Sequence, residues 1–206
     1  MLQDLAATTI DLALKHKVEY ADVRVEGVSS TSIRLVKDRL EFIICGVDQG
    51  LGVRVLHKGA WGFASTCSFK KEDIETTIKN AVKVANATST KLKQKTKLSP
   101  VKTWEDHVIT PVKIPLPEVE TKEKMKLVTK MSEIVRDYSP KIVSVTAVYG
   151  DASGQRAIMT SDGTKILTDL SRGTVAVLAI AKEAEKITSI GERVGSPGGF
   201  EMFKRL

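Results

Sequence analysis

The 206-residue chain has only two cysteines, Cys45 and Cys67, and three histidines, His16, His57 and His107. Two cysteines so far apart make neither a CxxC pair nor a disulfide framework. A reducing compartment is therefore the expected setting, with both thiols acting as small buried apolar side chains. The histidines form no HExxH or HExxxH motif, whereas a hydrolytic zinc site needs three protein ligands and a base. No GxSxG elbow is present, and VSSTS at 28–32 reads as a polar strand edge. No apolar run approaches the ~18 residues of a membrane span. The opening MLQDLAATT carries an acid where a secretory leader carries basic charge. These absences lead to the expectation of a cytoplasmic protein with no membrane segment.

The net charge of +7 is concentrated. KLKQKTKLSPVK, residues 91–102, holds five lysines and no acid, which leaves +2 for the rest of the chain. That stretch lacks an aromatic to stack a base, an arginine to read one, and helical periodicity. It reads as a solvated linker, and nucleic acid is not an expected partner. Glu105-Asp106-His107 reads as an exposed polar turn, and Glu72-Asp73, Glu183 and Glu185 fit helix starts or solvent faces. The residues by themselves assign no catalytic group and no metal ligand.

Apolar periodicity supplies the architecture. Leu2, Leu5, Ala6, Thr9, Ile10, Ala13 and Leu14 predict an amphipathic helix ending near His16. Short alternating runs follow at Ala21–Val25, Ile33–Leu35 and Leu40–Ile44. GLGVRVLHKGAWGFAST, residues 50–66, is rich in glycine but is no dinucleotide loop, because its sixth position is Val55 and no helix opens behind it. Its alternation predicts a hairpin turning at His57-Lys58-Gly59, with Val53, Val55, Trp61 and Phe63 as core. Ile74, Ile78, Ala81, Val82 and Ala85 mark a second helix, for which Ser68 is a candidate cap. A third helix carries Leu127, Met131, Ile134, Val135 and Tyr138 on one stripe. Strands return at Val143–Tyr149, around an Asp162-Gly163 turn, at Val175–Ala179 and at 186–194.

The expected fold is α+β, as two helix-plus-antiparallel-meander halves of related topology. The expected organisation is an N-terminal αβ domain at 1–90, a lysine- and proline-containing linker region at 91–117, and a middle αβ domain at 118–195. Residues 196–206 then start a connection onward, with Phe200, Met202 or Phe203, and Leu206 reading as the start of a helix.

Several stretches together resemble the N-terminal part of the TldD/PmbA family, zinc metallopeptidases also labelled modulators of DNA gyrase. They are AATTIDLALKHKVEYADVRVE, STSIRLVKDRLEF, GVDQGLGVRVLHKGAWGFAST, DGTKILTDLSRGTVAVLAIA and GSPGGFE. The motif residues are Gly50, Gly52, Arg54, Gly59, Trp61, Gly62 and Phe63. One departure is the turn at Lys37-Asp38-Arg39, where the family often has glycine. The resemblance implies that the family's HExxxH and later cysteine ligand lie beyond the matched region, so no catalytic or metal-binding residue carries over. It implies the substrate-handling and assembly portion of a longer zinc metallopeptidase, inactive alone. It further implies zinc in the full-length protein, a peptide or unfolded-protein substrate, and a homodimer or a heterodimer with a related subunit. Exposed strand edges would hold an extended peptide, and Gly198, Gly199 and Glu201 would line the substrate entrance. The alternative is a complete non-catalytic module that binds or regulates a partner subunit.

Overall fold

Leu2, Ala6, Thr9, Ile10 and Ala13 recur at helical spacing and form the buried face of α1, Leu2–Leu14. The computed structural model describes the backbone of residues 1–205 and the side chains of residues 1–204. After α1 come β1 (Tyr20–Val36), β2 (Arg39–His57), β3 (Ala60–Thr66), α2 (Lys71–Ser89) and β4 (Glu105–Ile109). A short 3-10 turn at Leu116–Glu118 precedes α3 (Thr121–Asp137), β5 (Ile142–Thr160), β6 (Lys165–Glu183) and β7 (Lys186–Pro197). A 3-10 turn at Phe200–Arg205 follows β7. The expected helix start here is thus a tighter 3-10 turn, and Leu206 lies outside the described residues.

The strands pair in the order β3-β2-β1-β5-β6-β4, with β7 also paired to β6. The class is α+β, three α-helices on a largely antiparallel sheet; β4 alone is shown running parallel to its neighbour β6. The short runs expected at 21–25 and 32–35 are one strand of 17 residues, and those at 40–44 and 51–55 are one strand of 19. Polar residues broke the apolar alternation, but extended backbone continues through them because the ladder satisfies each N–H and C=O whatever the side chain. Glu105-Asp106-His107 likewise belongs to a strand, paired with Lys165–Leu167, and not to a turn.

The chain forms two compact units, each drawn from three segments. Unit 1 comprises Met1–Gly27, Asp48–Ile109 and Gln155–Asp169. Its core joins α1 and α2 to Ala21, Val23, Val25, Leu51, Val53 and Val55, with Ala157 and Met159. Each buried branched side chain contributes about 1.5–3 kcal/mol by leaving water. On β3 the residues facing α2 are Ala60, Gly62 and Ala64. A Cβ at Gly62 would lie 1.9 Å from the Ala81 carbonyl oxygen, so the helix backbone rests directly on that residue. Trp61 and Phe63 therefore point to the other face, Phe63 being 59% exposed. They are not core, which corrects the expectation; Val53 and Val55 are core. Both cysteines are exposed as well. At α2 the N-cap is Lys70, and the Ser68 hydroxyl donates to Asp73 (2.5 Å) instead of capping the helix.

Unit 2 comprises Val28–Val47, Thr110–Gly154 and Leu170–Leu206. Its core gathers Ile33, Leu35, Leu116, Val128, Ala147, Tyr149, Val175 and Phe203. The Phe203 ring packs where a Gly173 side chain would be, 2.5 Å from that glycine's ideal Cβ. The buried face of α3 is Lys124, Val128 and Ser132, while Ile134 and Tyr138 are exposed. Of the stripe expected from the sequence, Leu127 and Met131 pack against this core, but the fully buried row lies beside it, because that row begins at a lysine and ends at a serine.

Candidate functional site

Period-two alternation in β1 puts Ala21, Val23 and Val25 in the core of unit 1, and so Asp22, Arg24 and Glu26 on the opposite face. On the same face, register sets Arg54 opposite Phe63 and Gly52 opposite Ser65. Asp22, Arg24, Glu26, Gly50, Gly52, Arg54, Phe63, Ser65 and Cys67 thereby line a surface trough of about 720 Å3. Its floor is β2, which has no side chain at Gly50 or Gly52. One wall is the charged row of β1, and the other is the β3 edge with Phe63 and Ser65. A Cβ at Gly52 would meet the Phe63 ring at 3.1 Å, so a larger residue there would press that ring aside.

The trough is held by polar contacts around it. Arg54 Nε donates to Asp22 Oδ2 at 2.7 Å, and its guanidinium lies 4.6 Å from the centre of the Trp61 ring. Tyr20 meets Trp61 edge-on at 5.8 Å. Burial, then the charges of Asp22 and Asp162, raise the Tyr20 phenol above its ordinary value, so it stays protonated. Arg156 Nε donates to Glu26 at 2.6 Å. Gly59, at φ 74°, closes the β2–β3 turn, and its ideal Cβ would lie 2.6 Å from the Lys95 side chain. The seven motif residues are therefore gathered in one hairpin. Gly50, Gly52, Arg54 and Phe63 line the trough; Trp61 supports Arg54; Gly59 and Gly62 shape the hairpin.

Gly198, Gly199 and Glu201 lie in unit 2. The Glu201 carboxylate accepts the backbone N–H groups of Lys113 (3.2 Å), Ile114 (2.8 Å) and Gly199 (3.1 Å). Burial opposes its ionisation, but these bonds and one from its own N–H outweigh that and hold it down to about 2. A Cβ at Gly199 would lie 2.3 Å from the Ile114 carbonyl oxygen. Gly199 and Glu201 thus fasten the 112–114 segment, with the carboxylate occupied by main-chain donors. Gly198 is instead tied to Ser171, its N–H donating to the Ser171 carbonyl (2.9 Å) and its own carbonyl accepting from the Ser171 hydroxyl (2.8 Å).

Sequence reading missed a buried polar cluster in unit 2. Lys124 Nζ lies 2.6 Å from Asp151 Oδ2, with both side chains 4% exposed. The Tyr149 hydroxyl donates to the same oxygen at 2.5 Å, and the Thr31 N–H donates to Oδ1 at 3.0 Å. Burial first, then the Asp151 hydrogen bond and charge, push the Tyr149 phenol far above its ordinary value. Every buried side-chain polar atom among the described residues has a partner, and the cluster reads as structural. No local signal marks it, since its members lie on three separate elements.

Zinc chemistry does not fit the described residues. No three His, Cys, Asp or Glu side chains converge among them. His107 Nε2 reaches Asp169 at 2.8 Å, and Asp169 also accepts from Gln155, which makes an exposed hydrogen-bonded pair and not a ligand set. No helix among the described residues is long and apolar enough to cross a membrane.

Residues 21–85 match the family model described as PmbA/TldA metallopeptidase domain 1, and residues 114–206 the PmbA/TldA metallopeptidase central domain. A metalloprotease of Methanocaldococcus jannaschii is 31% identical over 186 residues, 90% of this chain and 41% of that protein. The zinc metalloprotease TldD homolog of Saccharolobus solfataricus is 24% identical over 88% of this chain and 38% of its own length. The chain thus spans about two fifths of these curated relatives. Among solved structures, a proposed modulator of DNA gyrase from Bacteroides thetaiotaomicron shares the fold at a TM-score of 0.77. It is 22% identical, and the match covers 95% of this chain and 45% of that one. One from Thermotoga maritima gives 0.75 at 19% identity, covering 96% and 44%. On matches spanning both of its αβ regions, this chain belongs to the PmbA/TldD metallopeptidase family, of which it carries the first and central domains.

Proposed function

We infer that this chain is the substrate-handling and assembly portion of a zinc metallopeptidase, inactive alone and working beside a metal-bearing domain outside these residues. The observation that carries the reading is the unit 1 trough beside an edge strand. β3 has β2 as its only strand neighbour among the described residues, so its outer main-chain groups have no ladder partner. Such an edge holds an extended peptide through backbone hydrogen bonds, while a neighbouring groove selects side chains. A peptidase acting on peptide or unfolded protein needs that capture, since the bond to be cut must reach the metal in an extended chain. The reaction class and the zinc are supported by the names of the two metalloprotease relatives. Assembly as a homodimer or with a related subunit, residence in the cytoplasm, and an entrance formed by the backbone at Gly198, Gly199 and Glu201 belong to the same reading.

The test is the intact mass and zinc content of the endogenous protein. A mass of at least twice this chain's 22.5 kDa, with about one zinc per chain, is the expected result. A mass of 22.5 kDa without zinc overturns it in favour of a non-catalytic module that binds or regulates a partner.

A further inference from the structure

We propose that the unit 1 trough is a selective subsite for an extended peptide segment that sets an acidic side chain against Arg24 and an adjacent apolar side chain against Phe63. The proposal rests on the peptide-handling reading and adds a specificity to it for the segment lying over the β2 floor, as distinct from a segment paired along the outer edge of β3.

The charge pattern of the β1 wall carries the first half. Asp22 is neutralised by Arg54 at 2.7 Å and Glu26 by Arg156 at 2.6 Å. Arg24 stands between these two pairs on the same face of the strand, and its guanidinium makes no hydrogen bond, ion pair or ring contact with any described residue. With Asp22 and Glu26 each matched by an arginine, Arg24 is the charge on this wall left without a counter-charge. A free guanidinium with five donors in a planar fork is matched by a carboxylate, which it binds through two parallel hydrogen bonds.

The opposite wall carries the second half. Phe63 is a large apolar side chain left 59% exposed at the side of the groove, with its ring over Gly52. An apolar side chain laid against it removes both from water. With strands about 4.8 Å apart, the β1 and β3 walls stand roughly 10 Å from one another across the glycine floor, the width of one extended chain. Successive side chains of such a chain point to opposite sides, so neighbouring residues reach the two walls. A lysine or arginine at the first position would face Arg24 and be repelled.

The experiment uses the 206-residue chain and three fluorescein-labelled peptides, Ser-Val-Phe-Glu-Val-Ser and its counterparts with Gln or Lys in place of Glu, with affinity read by anisotropy. The Glu peptide is expected to bind about threefold to tenfold tighter than the Gln peptide, and the Lys peptide weakest. Arg24→Gln should bring the Glu peptide to the level of the Gln peptide and leave the latter unchanged. Phe63→Ser should weaken all three. Both side chains are exposed, and circular dichroism checks that each variant keeps its fold. Equal binding of the three peptides, or a preference for Glu that survives Arg24→Gln, removes the subsite and leaves peptide handling intact. No binding of any peptide at millimolar concentration removes both.

Discussion

Single residues set the close approaches in this protein. Gly62 lets α2 rest on the β3 backbone, and any larger residue would have to push the helix away from the Ala81 carbonyl. Lys37 and Asp38, at φ 50° and 60°, form a two-residue turn in the left-handed region without glycine. The turn is held because the Asp38 carboxylate accepts from Ser132 (2.7 Å) and Arg136 (2.5 Å), contacts that also keep its pKa below the ordinary value. Glu201 makes a prediction at this scale. Its folded pKa of about 2 lies below the ordinary 4.5, so the fold favours the ionised form. Its contribution is complete above about pH 4.5 and disappears as pH falls through about 2. Glu201→Gln should therefore lower the urea midpoint at pH 7 and flatten the acid limb between pH 4.5 and 2. Parallel acid limbs in the two proteins would show that another group titrates there. The glycines of the hairpin were visible in the sequence as a motif; which neighbour each one faces was not, since Ala81 and Lys95 belong to later segments.

Whole elements were legible in proportion to how local their burial is. The stripes of α1 and α2 were read nearly correctly, because their buried faces are apolar and periodicity reports apolar faces. The stripe of α3 is legible only in part: Leu127 and Met131 pack against the core, but the fully buried row includes Lys124, which is paired with Asp151 in β5. Removing one member of such a pair strands a charge in the core. Lys124→Met is expected to cost about 3–5 kcal/mol in urea unfolding. The double variant Lys124→Met/Asp151→Asn should cost less than the sum of the two single changes, since neither charge is then left alone. Additive costs would mean that the two side chains do not stabilise one another. The same limit explains Phe63: alternation placed it in a strand, but only the seating of α2 on Gly62 shows which face of β3 is covered.

At the scale of the molecule, the two compact units are not successive stretches of chain, because β1, β2, β5 and β6 each contribute residues to both. The zinc question is tested at this scale. Incubated with zinc and dialysed, the 206-residue chain should retain far less than one zinc per chain by elemental analysis, since its described residues bring no three ligands together. Stoichiometric retention would require ligands that this arrangement does not have. Composition and periodicity alone determined the α+β class, the three helices and the concentration of positive charge in residues 91–102, because each is a property of neighbours in sequence. Motif resemblance determined the family for the same reason. Only the tertiary structure decided the interleaving of the units, the outward Phe63, the free Arg24 between two neutralised carboxylates, and the buried Lys124. In each of these the outcome turns on a partner tens of residues away or on which face another element covers, and neither is written in local pattern.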